Sequence, residues 1–421
     1  MAEYSEYKDS GIPWIGKIPS HWDVKPIRSF LSQSKELNED ENATLLTLSQ
    51  YKGVNIRNGN EDSAISAPES LVGYNVVHKG QFVMNIMLAW NGSYGVSDYE
   101  GVISPAYAIF NFKNDVCKAY YHYLWRTKAY QDAFKTRSKG IVDSRLRLYP
   151  QYFLPFYTSI PPKDEQEAIV AYLDKVTADI DKAIAAKERI IASLEERRKI
   201  IITHAVTRGI NPNAPLKGSG IDWHGDIPAH WEVIRIKYLL NEKKVRSKTG
   251  AEEPLSMSQR KGLIPTKMMG VIPNLAASYV DAKLVSKGDL VFNKLKAHLG
   301  VFNVSEYEGL VSPDYAVYNT TGKADLKFLE YVFKTPNCIN EFKKLITGVG
   351  SGLSRLYTND LYSIYCAIPP IDEQLSIRNH IVNQTKAISE AIDQCQSIID
   401  LLRERKNIII NETVTGKVKV I

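Results

Sequence analysis

An acid–acid–lysine pattern in the second half of the sequence is the first candidate for chemistry. Asp314 is followed by Glu341 and Lys343, a loose match to the arrangement with which metal-dependent nucleases hold divalent cations. The first half repeats the second, and it has Ala106 and Ala133 at the positions of the two acids. Neither acid belongs to the plan that the halves share, so we expect a coincidence. A stand-alone metal-dependent nuclease is kept as an alternative.

Other catalytic motifs are incomplete or absent from the sequence. It contains no GxxxxGK[ST] phosphate loop and no GxGxxG after a predicted strand. Segments 104–107 and 312–315 resemble the loop with which amino-methyltransferases hold a flipped base, but the second proline is missing and no glycine-rich cofactor loop precedes them. His21 and His230 each precede a tryptophan, and we expect them to pack or cap rather than to act as bases. The sequence thus predicts no catalytic residues.

Composition and charge are those of a folded protein with room for two cores. The 421 residues are 44% hydrophobic and 24% charged, and the net charge of +6 is compatible with a polyanionic partner without requiring one. The four cysteines form no CxxC pair or Cys/His cluster, so we expect reduced thiols and no structural metal. We also expect that this chain itself binds no cofactor. Without a signal peptide or an apolar stretch of about 18 residues, we expect a cytoplasmic protein that neither is secreted nor spans a membrane.

Polar and basic side chains in predicted loops are the remaining candidates for function. Arg and Lys can hold phosphate or bond guanine, and Gln and Asn can pair with adenine in the major groove. In the first half these candidates are Ser49, Gln50, Lys52, Arg57, Asn85, Trp90, Asn91, Ser144, Arg145 and Arg147. Their counterparts in the second half are Ser258, Gln259, Arg260, Lys261, Lys267, Asn293, Lys294, Lys296, His298, Ser354 and Arg355. We predict that they contact DNA, although any basic protein carries Lys and Arg in its loops.

The elements that must position these residues occur twice along the chain. Gly-Ile-x-Trp-x-Gly-x-Ile-Pro-x-His-Trp at 11–22 returns 209 residues later at 220–231. Two further motifs return 208 residues later: Gly-x-x-Ser-Pro-x-Tyr at 101–107 and 309–315, and Ile-Pro-Pro-x-Asp-Glu-Gln at 160–166 and 368–374. A period of this length equals a domain with its connecting element, so we predict a tandem domain duplication.

Each repeat changes character at its double proline. Before it lie short β-branched and aromatic runs mixed with helical stretches, which predict an α/β globular domain. After it the pattern is helical for roughly forty residues. The prolines and the acids that follow them mark the start of the helix, because prolines suit a first helical turn and acids there face the positive end of the helix dipole. We predict globular domains at 1–160 and 210–368, a central spacer helix at 161–209 and a C-terminal spacer helix at 369–421.

Both predicted helices carry apolar residues at alternating three- and four-residue spacing, the pattern of a coiled-coil seam. The predicted pairing residues are Ile169, Leu173, Val176, Ile180, Ile190, Leu194, Ile201, Ile377, Ile381, Ile388, Ile398, Leu402 and Ile409. Forty helical residues span on the order of 60 Å, comparable to about 18 base pairs. We expect two long antiparallel coiled-coil helices that separate the domains with pseudo-two-fold symmetry, the alternative being that each helix is buried within its own domain.

The doubled motifs, together with Leu-x-Glu-Arg at 194–197 and 402–405, resemble the specificity subunits of type I restriction-modification systems over nearly the whole chain. The resemblance implies two target recognition domains that each read part of a double-stranded DNA site, and helices that set the spacing. It also implies partners: two methyltransferase subunits and restriction/translocase subunits, on which S-adenosylmethionine, ATP and Mg are expected. The chain itself would be non-catalytic.

The two predicted readers differ most where reading would occur, for example Trp90 against His298 and Tyr51 against Arg260. We therefore expect an asymmetric bipartite target, methylated on adenine if the family pattern holds. Two further alternatives remain open at this point. The chain could serve a fused methyltransferase-endonuclease, or it could be a helical scaffold that has no role on DNA.

Overall fold

The structure, a computed structural model, describes residues 3–50, 53–57, 68, 70–113, 116–141, 145–259, 261–269, 278–346 and 355–420. It divides into two compact units. The first unit combines Met1–Lys187 with Ser397–Ile421, and the second comprises Glu188–Gln396. Each unit therefore takes a globular segment together with parts of both long helices. The predicted domain boundaries fall at the ends of those helices, whereas the units divide within them.

The first unit is built from short strands and helices. Its described strands are β1 (Tyr7–Asp9), β2 (Lys17–Pro19), β3 (Asp23–Pro26), β4 (Leu31–Ser34), β5 (Leu46–Ser49), β6 (Gly53–Ile56), β7 (Asn75–Val77), β8 (Phe82–Asn85), β9 (Tyr94–Val96), β10 (Gly101–Ile103), β11 (Tyr107–Phe112) and β12 (Tyr157–Ile160). Its described helices are α1 (Lys118–Trp125), α2 (Lys128–Arg137), α3 (Pro150–Phe153) and the start of α4 (Lys163–Arg208). A 3-10 helix at Ala89–Asn91 follows β8.

The second unit has the matching set of elements. Its described strands are β13 (Leu216–Gly218), β14 (Asp226–Pro228), β15 (Glu232–Arg235), β16 (Leu240–Glu242), β17 (Leu255–Ser258), β18 (Gly262–Pro265), β19 (Lys283–Val285), β20 (Leu290–Asn293), β21 (Phe302–Val304), β22 (Gly309–Val311), β23 (Tyr315–Thr320) and β24 (Tyr365–Ile368). Its described helices are α5 (Leu326–Phe333), α6 (Pro336–Leu345), α7 (Thr358–Ser363) and the start of α8 (Ile371–Val414). A 3-10 helix at Ala297–Leu299 follows β20.

A four-stranded antiparallel sheet lies at the centre of each unit. Its strand order is β4-β11-β8-β9 in the first unit and β16-β23-β20-β21 in the second. Hairpins β5–β6 and β17–β18 occupy equivalent places, as do the pairs β3–β12 and β15–β24. The two units thus have the same order of strands, which is the observation expected if one module occurs twice.

All four residues of β8 and of β20 are buried. Since successive residues of a strand point to opposite faces, both faces of each central sheet are covered at these strands. On β8, Phe82 and Met84 join the large aromatic core with α1 and α2, while Val83 joins a smaller cluster with Leu46 and Leu48 of the hairpin. On β20 the same alternation places neighbouring side chains in two separate cores. The hairpin is therefore held on the sheet by apolar packing.

Contacts between α4 and α8 occur within both units. In the first, the Lys406 ammonium lies 2.7 Å from the Asp181 carboxylate, and Val414 is buried in the same core as Ile169. From Ile169 to Asp181 the residue numbers rise along α4, whereas the numbers of their partners on α8 fall from Val414 to Lys406. In the second unit, Val206 of α4 shares a core with Ile377 of α8.

Most of the predicted pairing residues lie on the buried side of the helices, with two exceptions. Ile169, Leu173, Ile180, Ile377, Ile381 and Ile388 are buried, and Val176, Leu194, Ile201, Leu402 and Ile409 are half-buried. Ile190 and Ile398 are 44% and 38% exposed, so their prediction as pairing residues was wrong. Ile399 is 1% exposed and takes the inward position of α8, and Ile191 is half-buried on α4. Within the described residues, we find no helix both long and apolar enough to cross a membrane.

Candidate nucleic-acid interface

The most clearly repeated residues of the chain form a clasp between each globular segment and the start of its long helix. In the first unit the buried Glu165 carboxylate accepts hydrogen bonds from the Tyr4 hydroxyl and from Trp22 Nε1, the latter at 3.1 Å. His21 Nε2 lies 2.9 Å from the same carboxylate. Gln166 Oε1 accepts from the backbone N–H of Cys117 at 3.1 Å.

The second unit repeats this clasp. Glu373 is bonded by His230 Nε2 at 2.7 Å and by Trp231 Nε1 at 3.1 Å. Gln374 Oε1 accepts from the Asp325 backbone N–H at 2.8 Å. Because both histidines bond a structural carboxylate, their contacts agree with the packing role predicted for them. The repeated motifs therefore fix where each long helix leaves its globular segment.

Hydrogen bonds join the first two candidate loops of the first unit. Asn91 Nδ2 donates to Gln50 Oε1 at 2.8 Å, linking the 3-10 helix after β8 to the tip of hairpin β5–β6. The half-buried Arg126 guanidinium donates to the backbone carbonyls of Gln50 and Tyr94, at 2.9 and 2.8 Å. Burial lowers the pKa of Arg126 from its ordinary value. Arg126, which sequence reasoning missed, positions the hairpin tip beside the central sheet.

The remaining loop of the first unit is joined to the same surface. Lys135 Nζ lies 5.1 Å from the centre of the Trp90 ring. The backbones of Lys139 and Arg147 exchange two hydrogen bonds, of 2.8 and 2.9 Å. The Leu148 N–H donates to the carbonyl of Ile86, the residue that follows β8. The structure thus brings three predicted loops of this unit together, and it adds the end of α2 to them.

The second unit joins its candidate loops by different contacts. Gln259 Nε2 donates to the Leu299 carbonyl at 2.9 Å, and the Leu356 N–H donates to the Lys294 carbonyl at 3.0 Å. Burial, together with the neighbouring Lys283 ammonium, lowers the pKa of Lys294. The residues after Arg147 and Arg355, Leu148 and Leu356, donate backbone hydrogen bonds to equivalent carbonyls in the two units. The two arginines are therefore structural counterparts.

Two predicted DNA-contacting residues are buried instead. Asn85 and Asn293 are 4% and 9% exposed, at the ends of β8 and β20. Their Oδ1 atoms accept from the backbone N–H groups of Met87 and Leu295, at 2.9 and 3.1 Å. A side chain that caps a turn in this way is not available to a base edge, so the structure corrects the prediction for both residues.

The other predicted contacts differ in exposure. Arg145, Gln259, Lys261, Lys267 and Lys296 are exposed, and Ser49, Gln50, Arg57, Trp90, Asn91, Arg147, Ser258, Lys294, His298 and Arg355 are half-buried. Lys52, Ser144, Arg260 and Ser354 lie outside the described residues, as does Tyr51. Contact with DNA stays a prediction for all of them.

The acids of the nuclease-like pattern bind cations of the chain. Asp314 Oδ1 lies 3.5 Å from the Arg355 guanidinium, and Glu341 Oε1 lies 2.5 Å from Lys344 Nζ. In the described ranges, no group of three or more His, Cys, Asp or Glu side chains is placed to hold a metal ion. The two acids thus have separate ionic partners rather than a shared one.

Unlike polar groups lie beneath the two hairpins. In the first unit, His122 lies beneath Gly53 and Gly95, and burial lowers its pKa to about 4. Its counterpart 208 residues later is Glu330, which accepts from Asn303 Nδ2 at 2.7 Å. Burial acts to raise the pKa of Glu330, but the ammonium groups of Lys334 and Lys327 outweigh it and hold that pKa below its ordinary value. The hairpins of the two units therefore rest on different electrostatic environments.

Comparison with known proteins shows that the chain is similar to specificity subunits of type I restriction enzymes. No family model matches it. A Methanocaldococcus jannaschii protein provisionally assigned as the MjaX specificity subunit is 24% identical over 73% of this chain and 70% of its own length. The MjaVIII specificity subunit of that organism is 22% identical, covering 80% and 79%, and the EcoKI specificity subunit of Escherichia coli is 21% identical, covering 90% and 85%.

These three relatives all serve type I restriction enzymes, the family that the repeated motifs predicted. A chain from a solved structure concerned with complex assembly and conformational transition of the type I R-M system superposes with a TM-score of 0.65. It is 13% identical, and the match covers 95% of this chain and 99% of that one. The chain is thus similar in sequence to type I specificity subunits, and its mixed α/β fold with a long central helix and a C-terminal helix is confirmed.

Proposed function

We propose that this chain is the non-catalytic specificity subunit of a type I restriction-modification complex. Each unit reads one half of an asymmetric, bipartite site in double-stranded DNA. The observation that carries the proposal is that equivalent loops on equivalent strand frameworks present unlike side chains. Trp90 stands where the second unit has His298, and Ile86 stands where it has Lys294. One scaffold carrying two different sets of side chains suits the reading of two different DNA sequences.

We further propose that the units arose by tandem duplication and that α4 and α8 form an antiparallel coiled coil. The shared strand order and the doubled clasp support the duplication. The pairing of Asp181 with Lys406 supports the direction of the helices. In this arrangement the helices set the number of base pairs that remain unread between the half-sites.

The outer faces of the long helices suit a helical partner. Ile190 and Ile200 are 44% and 60% exposed, and their counterparts 208 residues later, Ile398 and Ile408, are 38% and 48% exposed. Leu401 adds an apolar side chain that is 64% exposed. We propose that these two matching faces dock two methyltransferase subunits. Those subunits and the restriction/translocase subunits would supply the sites for S-adenosylmethionine, ATP and Mg, and this chain would hold none of them.

Mapping methylated bases tests the proposal. The chain is co-expressed with its methyltransferase partner in a host that lacks other modification systems, and the host genome is then sequenced for modified adenines. We expect one bipartite motif with unlike halves and a fixed unread spacer. A continuous palindrome, or no motif, would contradict the proposal. In a second strain, residues 1–160 are exchanged for the corresponding segment of another such subunit, and only one half of the motif should change.

A further inference from the structure

A ridge of positive charge borders the candidate loops of the first unit. We define this cationic ridge as Lys135, Arg137, Lys139, Arg145 and Arg147. Arg137, Lys139 and Arg145 are exposed, and within the described ranges none of these three is ion-paired with an acid. Aspartate 143, the single acid between residues 135 and 147, lies outside the described residues. The ridge therefore presents several cations to the solvent.

Local packing holds the ridge in place. Lys139 Nζ lies 5.3 Å from the Tyr152 ring, and the Arg137 guanidinium lies 5.9 Å from the Phe156 ring. A Cβ at Gly140 would come within 2.5 Å of the Arg145 carbonyl oxygen, so the turn requires glycine at this position. Side chains supported on aromatic rings lose less conformational freedom when they bind a ligand than freely rotating ones do.

The second unit lacks an equivalent ridge. Residues Leu345, Thr347 and Leu353 stand 208 positions after Arg137, Lys139 and Arg145, so three of the five cations are replaced by neutral side chains. The equivalent segment, residues 343–355, keeps three cations: Lys343, which bonds the Asn340 side chain, Lys344, which pairs with Glu341, and Arg355, which pairs with Asp314. Equivalent segments on the same framework thus carry very different amounts of available positive charge.

We propose that the cationic ridge is a contact site for DNA backbone phosphates, and that the first unit holds phosphates through this segment more strongly than the second unit does through its equivalent segment. This inference rests on the proposed function. Backbone contacts of this kind add affinity without reading sequence, because every base pair presents the same phosphates. The ridge lies beside the loops through the contact of Lys135 with Trp90, so phosphates held there would fix the position of the duplex over the first reader.

The test compares the salt dependence of DNA binding for matched triple variants in the assembled methyltransferase complex. The ridge triple carries Arg137→Gln, Lys139→Gln and Arg145→Gln. The matched triple carries Lys343→Gln, Lys344→Gln and Arg355→Gln in the second unit. Binding to fluorescent duplexes with and without the mapped motif is measured from low to high salt. Each lost phosphate contact lowers the slope of log affinity against log salt by about 0.9, so the ridge triple should lose about 2–3.

We expect the ridge triple to bind both duplexes about tenfold or more weakly at moderate salt and to keep the wild-type methylation motif. The matched triple should lose less than half as much slope. An unchanged slope in the ridge triple would overturn the phosphate site, and equal losses in both triples would overturn the asymmetry. In either case a wild-type complex that methylates a bipartite motif would leave the proposed function standing. A wild-type complex that neither binds DNA nor methylates a motif would overturn both.

Two further variants separate charge from folding. The charge-retaining triple Arg137→Lys, Lys139→Arg and Arg145→Lys should keep the wild-type slope, and a loss there would show that charge is not the cause. If the neutral triple unfolds below the assay temperature, Arg145→Gln alone replaces it. That single change should lower the slope by about 1, and no change would count against the site.

Discussion

Carboxylates and amides hold the repeated positions together, and all of them are buried except the half-buried Glu373. Glu165 receives hydrogen bonds from three side chains that come from the first strands and loops of the chain, and Glu373 receives two at the equivalent place. A buried donor that loses its acceptor costs more free energy than the bond itself contributes. The clasp is therefore sensitive to the charge and shape of a single group.

Glu165→Gln should destabilise the first unit. The glutamine amide cannot accept from all three donors and places N–H groups against them, so we expect a loss of about 1–3 kcal/mol in the free energy of unfolding. Denaturant unfolding of the full chain measures the change. Glu167→Gln is the control, since Glu167 is exposed two residues further along α4 and should lose little. Equal losses in the two variants would show that the clasp is not a distinct source of stability.

His122 gives the first unit a dependence on pH whose sign follows from burial. Its pKa is about 4 in the folded chain and about 6.5 when exposed, so between these values the unfolded chain binds a proton that the folded chain does not. Stability should therefore fall as the pH falls from about 6.5 towards 4. His122→Asn should flatten this dependence, measured by unfolding at several pH values, while exposed His204→Asn should leave it as it is. An unaltered slope in the first variant would refute the assignment.

Residue types alone could not identify which candidate side chains are available to contact DNA. Asn85 and Asn293 have side chains suited to adenine, and nothing in their type distinguishes a base contact from a turn cap. The two asparagines cap turns because they lie at the ends of fully buried strands, and the burial of those strands is a property of the fold. Arg126 was missed for the same reason, because its two carbonyl partners come from distant segments.

The starts of both long helices and the length of α4 were predictable, while the end of α8 at Val414 and one detail of the seam were not. Double prolines and first-turn acids marked where α4 and α8 begin. The chain has Ile190 beside Ile191 and Ile398 beside Ile399, so apolar spacing alone permits either register. In α8 it is Ile399 that packs inward. A helix of 3.6 residues per turn drifts against a seam of 3.5 residues, and an added four-residue step brings the apolar side chains back to the buried face.

Helix length should control the unread spacer of the target. Removing four residues from α4 near 187 and four from α8 near 396 shortens both helices equally. The length that they span falls by about 6 Å, or about two base pairs. Methylation mapping should then report the same two half-sites with a shorter spacer. A variant with alanine at the same eight positions keeps the original length and should keep the original motif. A shortened chain that methylates the unaltered motif would rule out the spacer role.

At the scale of the whole molecule, the repeat in the sequence anticipated the arrangement of strands but not the composition of the two units. Equal spacing of motifs predicted two similar frameworks, and the central sheets have the same strand order. The units, however, each combine a globular segment with parts of both long helices. A local pattern cannot reveal this, because which helix completes which core depends on contacts between residues far apart in the chain.

The core of the first unit is closed by residues at the end of α8. The Tyr120 hydroxyl donates to the Val414 carbonyl at 2.8 Å, and Val414 is fully buried in the same core as Trp22. During synthesis on a ribosome, the globular segment of the first unit emerges long before the end of α8, which completes its core. Until the last turn of α8 is translated, the nascent segment exposes an apolar surface that the completed first unit buries.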